Sequence, residues 1–186
     1  MDNAIPRYMY NRITDIEPSD LLEMGVRAIA IDLDNTTVYD STARPLEGVL
    51  PWLESVKQVG IRVCIVSNTY PLRARHFSKK FGVPAFSMAN KPKPDKLIKA
   101  ANKLGVDISE MAMIGDQLFA DVLAANSCGA ISIKTEPFMK EKLFAKKFRE
   151  RRERERVYVK DNFEKFKNEK IHSFMNRRKG EKNDSN

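Results

Sequence analysis

The sequence predicts an α/β protein with a doubly wound, mostly parallel sheet of five strands and helices on both faces. Short apolar runs rich in isoleucine and valine alternate along the chain with segments whose apolar residues recur at helical spacing. This alternation is typical of βαβ units, whose strands are parallel, and it favours a Rossmann-like arrangement. Polar or acidic residues directly follow three of the apolar runs. Because ligands bind at the carboxyl ends of the strands in such sheets, the same pattern predicts a site there.

Five apolar runs are predicted as strands, at residues 26–33, 61–66, 83–87, 111–115 and 130–133. The predicted helices are residues 18–25, 50–59, 71–81, 95–104 and 119–125. Glycines such as Gly60 and Gly105 stand where a helical pattern stops, as expected at the end of a helix. Residues 1–17 are polar and aromatic, and we expect them to lie over the core.

The charge of the chain divides it into two parts. Residues 1–137 carry 16 basic and 16 acidic side chains, whereas residues 138–186 carry 17 basic and 9 acidic ones. We therefore predict a globular domain over 1–137 and a basic tail over 138–186 that is helical or partly disordered. The alternating run 149–156 is typical of a solvated, salt-bridged helix. The excess of positive charge favours a polyanionic partner, either nucleic acid or an anionic membrane surface.

Composition excludes several classes of protein. The first residues show no charged-then-apolar stretch followed by a small-residue cleavage site, so we expect no signal peptide, and no apolar run approaches the roughly 20 residues that span a bilayer. We therefore expect a cytoplasmic protein or one bound peripherally to a membrane. Cys64 and Cys128 lie in apolar surroundings and are expected to be free and buried, and no cluster of cysteine and histidine predicts a zinc site.

Three predicted strands end in residues suited to phosphoryl transfer. These residues are Asp32 and Asp34 at the end of the first strand, Ser67 and Asn68 at the end of the second, and Asp116 at the end of the fourth. An isolated Asp-x-Asp is more often a solvated turn, but parallel strands bring all three ends to one edge. A carboxylate can form an aspartyl-phosphate and a second acid can protonate the leaving oxygen. Hydroxyl and lysine groups hold phosphate oxygens, and clustered carboxylates favour Mg²⁺.

These residues resemble the four motifs of the haloacid dehalogenase (HAD) superfamily of phosphatases. The matching segments are Asp32-Leu33-Asp34-Asn35-Thr36, Ser67, Lys91-Pro92, and Gly115-Asp116 followed by Asp121. They occur in the family's order, each beside a predicted strand end. The resemblance implies the HAD fold and a Mg²⁺-dependent phosphatase.

The resemblance also implies roles for single residues. Asp32 is the expected nucleophile and a Mg²⁺ ligand. Asp34 is the expected general acid and then base, with its backbone carbonyl on Mg²⁺. Asp116 is a further expected metal ligand.

The remaining motif residues are expected to hold the phosphoryl group or to support the site. Ser67 and Lys91 would bind the phosphoryl group, and Asn68 would contribute through its backbone. Asp121 would support the metal shell or orient Lys91. Thr36 and Gly115 are supporting positions of the first and fourth motifs. Lys93 also precedes a proline, and only the family pattern favours Lys91 over it.

The spacing of the motifs leaves no room for a cap domain. Asp32 and Ser67 are 35 residues apart and Ser67 and Lys91 are 24 apart, and each interval is filled by one βα unit. Capless HAD phosphatases have an open site and tend to act on large or surface-bound phosphates.

The globular part further resembles the YqeG branch of HAD subfamily IIIA, whose broader relatives include phosphatidylglycerophosphate phosphatases. The expected substrate is therefore a phosphate carried by a membrane lipid. Two alternatives stay open: a phosphatase for nucleic-acid ends or a phosphoprotein, and a non-catalytic module bound to RNA or ribosomes. No RNA-binding motif supports a nucleic-acid partner, and glutamates interrupt the basic tail.

Overall fold

The computed structural model describes residues 3–138 and 146–167, and this part of the chain contains one six-stranded sheet. The strands are β1 (Tyr8–Tyr10), β2 (Ala28–Ile31), β3 (Arg62–Val66), β4 (Ala85–Phe86), β5 (Met111–Gly115) and β6 (Ile131–Thr135). The helices are α1 (Pro18–Glu23), α2 (Val49–Gln58), α3 (Pro71–Phe81), α4 (Asp95–Leu104), α5 (Leu123–Cys128), α6 (Lys146–Asp161) and α7 (Phe163–Phe166). A π-helical turn, Leu118–Val122, joins β5 to α5.

The sheet has the order β1-β6-β5-β2-β3-β4, and every pairing in it is parallel. The predicted α/β class is confirmed, but the predicted count of five strands was one too low. The additional strand is β1, which we expected only to lie over the core. It pairs with β6, with Tyr8 opposite Ile133. Three residues are too few to show the alternation that identifies a strand in a sequence.

Helices cover both faces of the sheet because successive strand residues point to opposite sides. Ile29 and Ile31 of β2 belong to an apolar cluster that includes buried residues of α2 and α3. Ala28 and Ala30 belong to a second cluster that includes residues of α4 and α5. Cys64 lies buried in this second cluster, and Cys128, which is also free, is half-buried against it.

The order of the strands reverses direction beside β2. From β2 the chain proceeds outward to β3 and β4, whereas β5 returns to the other side of β2 and continues to β6. The crossover helices therefore diverge at the carboxyl ends of β2 and β5, which leaves a crevice there. Asp32 follows β2 and Asp116 follows β5, so both acids lie at this crevice.

No cap domain is inserted within residues 3–138. Only α2 lies between β2 and β3, and only α3 lies between β3 and β4. Neither of these two connections therefore carries an additional helix or strand that would form a cap domain.

The charged run of the tail forms α6, as predicted, but this helix is not fully solvated. The side chains of Arg152 and Glu155 are 14% and 7% exposed, because both turn toward the loop after β5. Phe166 of α7 is buried in a small cluster with Leu118 and Val122. The predictions for residues 139–145 and 168–186 lie outside the described residues. Within the described parts, no helix has the length and hydrophobicity needed to cross a bilayer.

Candidate active site

Asp32 is the first residue after β2, and its backbone continues the sheet. Its N–H donates to the Ile114 carbonyl of β5 at 3.0 Å. The Thr37 hydroxyl donates to the Asp32 carbonyl at 2.8 Å and fixes the turn that follows. Thr36, the expected supporting residue, is buried, and its hydroxyl has no partner among the described residues. Asp32 itself is 6% exposed, so its carboxylate is held firmly at the floor of the crevice.

The chain turns sharply directly after Asp34, the second acid of the first motif. Asn35 adopts a left-handed backbone with φ of 61°. Arg73 of α3 donates to Asp34 Oδ1 at 2.6 Å, and the Ser41 N–H donates to the same oxygen at 3.1 Å. Burial raises the pKa of Asp34, although Ser41 and Arg73 partly offset this effect. Asp34 is therefore a carboxyl group that partial burial makes easier to protonate and that a guanidinium group orients.

Lys91 is the cation at the centre of the site. Its Nζ donates to Asp32 Oδ1 at 2.8 Å, to Asp121 Oδ1 at 2.6 Å and to the Val66 carbonyl at 2.9 Å. Burial alone would lower the pKa of Lys91, but the two carboxylates outweigh it and the pKa is raised. Lys93, by contrast, is exposed. Lys91, and not Lys93, is therefore the lysine that contacts the expected site acids, and it is charged.

The loop after β3 fixes the backbone of Lys91. Asn68 Oδ1 accepts from the Lys91 N–H at 2.8 Å, and Asn68 Nδ2 donates to the Lys91 carbonyl at 3.3 Å. The Ser67 hydroxyl is buried and accepts from the Thr69 N–H at 3.3 Å. Sequence reasoning expected Asn68 to contribute through its backbone, and the structure adds this clamp by its side chain.

Gly115 and Asp121 form a close contact that no larger residue permits. A Cβ atom on Gly115 would lie 2.2 Å from the carboxylate carbon of Asp121, so glycine is required. The Gln117 N–H donates to Asp121 Oδ2 at 3.0 Å, while Asp121 Oδ1 accepts from Lys91. Asp121 is therefore in direct contact with Lys91, as one of the two roles expected for it requires.

Three buried carboxylates converge beside Lys91. One oxygen from each of Asp32, Asp116 and Asp121 lies within 4.8 Å of the other two. Burial raises the pKa of Asp116 and of Asp121, and the charge of Asp32 raises both further. Asp116 Oδ1 is fully buried and has no hydrogen-bond partner among residues 3–138 and 146–167. A cluster of oxygen donors with one unpartnered buried oxygen fits a hard divalent cation.

Sequence reasoning missed two arginines that contact the expected site residues. Arg73 lies 39 residues from Asp34, and Arg152 lies 36 residues from its partner Asp116. Each stands among several other basic residues on a helix, so no signal in the sequence distinguishes it from its neighbours. Only the packing of α3 and α6 against the sheet edge singles them out.

The comparisons with known proteins agree with this site. The family model of haloacid dehalogenase-like hydrolases matches residues 13–129, more than half of the chain. The chain therefore belongs to the haloacid dehalogenase-like hydrolases, and its predicted membership of that superfamily is confirmed. The observed parallel sheet is in accord with this assignment.

The relatives include named phosphatases. The chain is 33% identical over 150 residues to the "Probable phosphatase YqeG" of Bacillus subtilis, covering 81% of this chain and 87% of that protein. It is 30% identical over 125 residues to a phosphoglycolate phosphatase of Neisseria meningitidis, covering 62% of this chain and 52% of that protein. The predicted YqeG-like assignment is confirmed, and the chain is a phosphoric monoester hydrolase.

A solved structure shares the fold. It is the phospho-aspartyl intermediate analogue of a phosphoserine phosphatase, with a TM-score of 0.51 and 14% identity. The match covers 60% of this chain and 88% of that one, and it shows the likeness of the fold alone.

Proposed function

We propose that this chain is a Mg²⁺-dependent phosphatase that hydrolyses a phosphomonoester carried by a membrane lipid such as phosphatidylglycerophosphate. The observation that carries the chemistry is the buried group in which Lys91 bridges Asp32 and Asp121 beside the unpartnered oxygen of Asp116. In this proposal Asp32 is the nucleophile, Lys91 supplies the fixed positive charge and Asp116 is the cation-binding carboxylate.

In the first step, a carboxylate oxygen of Asp32 attacks the phosphorus atom. The bond from phosphorus to the leaving alcohol oxygen breaks, and Asp34 gives that oxygen its proton. Lys91 neutralises the charge on the phosphoryl oxygens, and Ser67 together with the Asn68 backbone holds them. The product of this step is an alcohol and a phosphorylated Asp32.

In the second step, Asp34 accepts a proton from a water molecule that attacks the same phosphorus atom. Inorganic phosphate leaves and the Asp32 carboxylate is restored. The carboxylates of Asp32 and Asp116 and the backbone carbonyl of Asp34 would hold Mg²⁺. When bound, this ion supplies positive charge that offsets the charge of the phosphoryl group.

Arg73 is expected to position Asp34 for the proton transfer. We expect Arg73→Gln to lower kcat on an alkyl phosphate roughly tenfold. This loss is smaller than the whole contribution of a general acid, because Asp34 itself is still present. The loss should be smaller on p-nitrophenyl phosphate, whose leaving group needs no proton. Steady-state kinetics on both substrates measure this difference.

The matched control for Arg73 is Arg75→Gln on the same helix, because Arg75 is exposed. That variant should keep the kinetics of the unaltered protein on both substrates. An equal loss on both substrates in Arg73→Gln would contradict a role in proton transfer.

Exposed apolar side chains near the site support a lipid substrate. Tyr70 and Leu72, which follow the Ser67 loop, are 77% and 79% exposed, and Met88 is 50% exposed. The Met88 N–H donates to the Thr69 carbonyl at 3.0 Å, so the segment that carries Met88 is joined to the loop that leads into Tyr70 and Leu72. We call Tyr70, Leu72 and Met88 the apolar rim. Large apolar side chains that stay exposed beside a site favour contact with a lipid surface.

The charge of α3 also supports an anionic surface as the partner. This helix carries Arg73, Arg75, Lys79 and Lys80 and no acidic residue. Basic residues close to an anionic membrane each contribute about 1 kcal/mol to binding. An apolar rim next to a basic helix therefore suits a site that receives its substrate from an anionic bilayer.

The test is phosphate release with Mg²⁺ from three substrates: phosphatidylglycerophosphate in mixed micelles, p-nitrophenyl phosphate and a 5′-phosphorylated oligonucleotide. We expect the highest kcat/KM on the lipid and no release without a divalent cation. A higher kcat/KM on the oligonucleotide would show that the substrate is a nucleic-acid end and not a lipid. Release from no substrate would favour a non-catalytic module.

The apolar rim has its own test. We expect Tyr70→Ser combined with Leu72→Ser to weaken binding to phosphatidylglycerol vesicles about tenfold, equivalent to ~1.4 kcal/mol of lost apolar contact. Hydrolysis of p-nitrophenyl phosphate should not change. Leu22→Ser is the control, because Leu22 is 50% exposed on α1, which leads into the amino end of β2. Unchanged vesicle binding in the double variant would contradict the assignment of the rim.

A further inference from the structure

We infer that Arg152 of α6 is a positioning residue for Asp116, which makes α6 part of the cation site. The inference rests on the proposed function in one respect only, the divalent cation that Asp116 would bind. It concerns a helix outside the segment 13–129 matched by the family model.

The guanidinium group of Arg152 contacts Asp116 at two atoms. Nη2 pairs with Asp116 Oδ2, and Nη1 donates to the Asp116 backbone carbonyl at 2.9 Å. The Asp116 side chain is fully buried and that of Arg152 is 14% exposed. A planar guanidinium that engages a carboxylate and the carbonyl of the same residue fixes both the position and the rotation of that side chain.

The two carboxylate oxygens of Asp116 consequently have different environments. Oδ2 is held by Arg152, whereas Oδ1 has no hydrogen-bond partner among the described residues. Carboxylates that bind metals are commonly held by a hydrogen bond to their second oxygen, which orients the first. Arg152 therefore acts as the group that holds the second oxygen of Asp116, and the first oxygen stays available for a cation.

Other residues of α6 hold Arg152 in this position. Glu155 accepts from Arg152 Nη1 at 2.8 Å and from the Leu118 N–H at 2.9 Å. Arg151 contacts the side-chain oxygen of Gln117. The contacts of Glu155 with Leu118 and of Arg151 with Gln117 join α6 to the loop that carries Asp116. The helix is thus attached to the loop that carries the expected cation ligand.

Mn²⁺ binding to the full-length protein, measured by electron paramagnetic resonance and by calorimetry without substrate, tests the inference. We expect Arg152→Gln to weaken Mn²⁺ binding by about 10- to 100-fold, the usual effect of losing a residue that supports a metal ligand. Arg152→Lys keeps the charge but not the planar fork, so it should recover only part of the affinity. Arg156→Gln is the control, because Arg156 lies on the same helix with its side chain 76% exposed.

Hydrogen exchange of residues 149–161 separates the role of Arg152 from loss of the whole helix. Weaker Mn²⁺ binding with α6 still protected supports the inference. If α6 loses its protection in Arg152→Gln, Arg152→Lys becomes the test. Weaker Mn²⁺ binding by Arg152→Lys, with α6 still protected, then supports the inference. Equal Mn²⁺ affinity in all variants overturns the positioning role of Arg152. Tighter Mn²⁺ binding by Arg152→Gln also overturns it, because it would show that the guanidinium group competes with the cation for Asp116. Failure of the unaltered protein to bind Mn²⁺ overturns the cation site itself, together with this inference.

Discussion

Asp32→Asn is expected to lower phosphate release by roughly 10⁴-fold or more, the scale of removing a residue that forms the covalent intermediate. An amide is a far weaker nucleophile than a carboxylate, so the first step fails. The fold should persist, since the asparagine side-chain oxygen can still accept from Lys91 Nζ, now 2.8 Å from Asp32. The substitution also removes one of three negative charges from a buried cluster that contains Lys91 and Arg152.

Two measurements separate loss of chemistry from loss of structure in Asp32→Asn. Phosphate release is compared with the free energy of unfolding in urea, which we expect to stay close to that of the unaltered protein. Asp95→Asn is the control, because Asp95 lies exposed in the first turn of α4. Substantial turnover by folded Asp32→Asn would show that another residue is the nucleophile.

Lys91→Met is expected to reduce both activity and stability. Loss of the ammonium leaves the carboxylates of Asp32 and Asp121 without the cation that lies 2.8 and 2.6 Å from them. Removing one partner of a buried ion pair costs about 3–5 kcal/mol, because the remaining charge is buried and unpaired. Phosphate release should fall as well, since no fixed positive charge then faces the phosphoryl oxygens. Urea unfolding and phosphate release measure the two effects.

Lys93→Met is the matched control for Lys91→Met. Lys93 is exposed two residues away, so we expect a change in the free energy of unfolding within about 0.5 kcal/mol and unchanged turnover. The pair of variants also decides a question that the two Lys-Pro dipeptides leave open in the sequence. A large effect of Lys93→Met with a small one of Lys91→Met would reverse the assignment.

The strands that carry the site were predictable because their signal is local. Ala28–Ile31 is apolar throughout, and the acidic residues begin at Asp32. A strand of a parallel sheet is buried on both faces, so its residues are apolar without interruption. Polar residues begin where the strand leaves the sheet. Strand β1 escaped prediction because it has three residues and depends on its pairing with β6.

The contacts of charged side chains were predictable only where a motif fixed them. Asp121 was expected to orient Lys91 or to support the metal shell, and its 2.6 Å ion pair with Lys91 is the contact that the first role requires. Neither Arg73 nor Arg152 could be predicted. A long flexible side chain reaches many positions, and its partner depends on where a whole helix packs.

The sequence by itself determined the fold class, the order of the motifs and the identity of the acids at the strand ends. Hydrophobic periodicity and residue chemistry are properties of short segments, so they can be recognised without coordinates. Only the tertiary structure decided that Lys91 rather than Lys93 faces Asp32, that Arg73 holds Asp34 and that α6 brings Arg152 to Asp116. These contacts join residues that are far apart in the chain, and the packing of helices against the sheet brings them within a few ångströms.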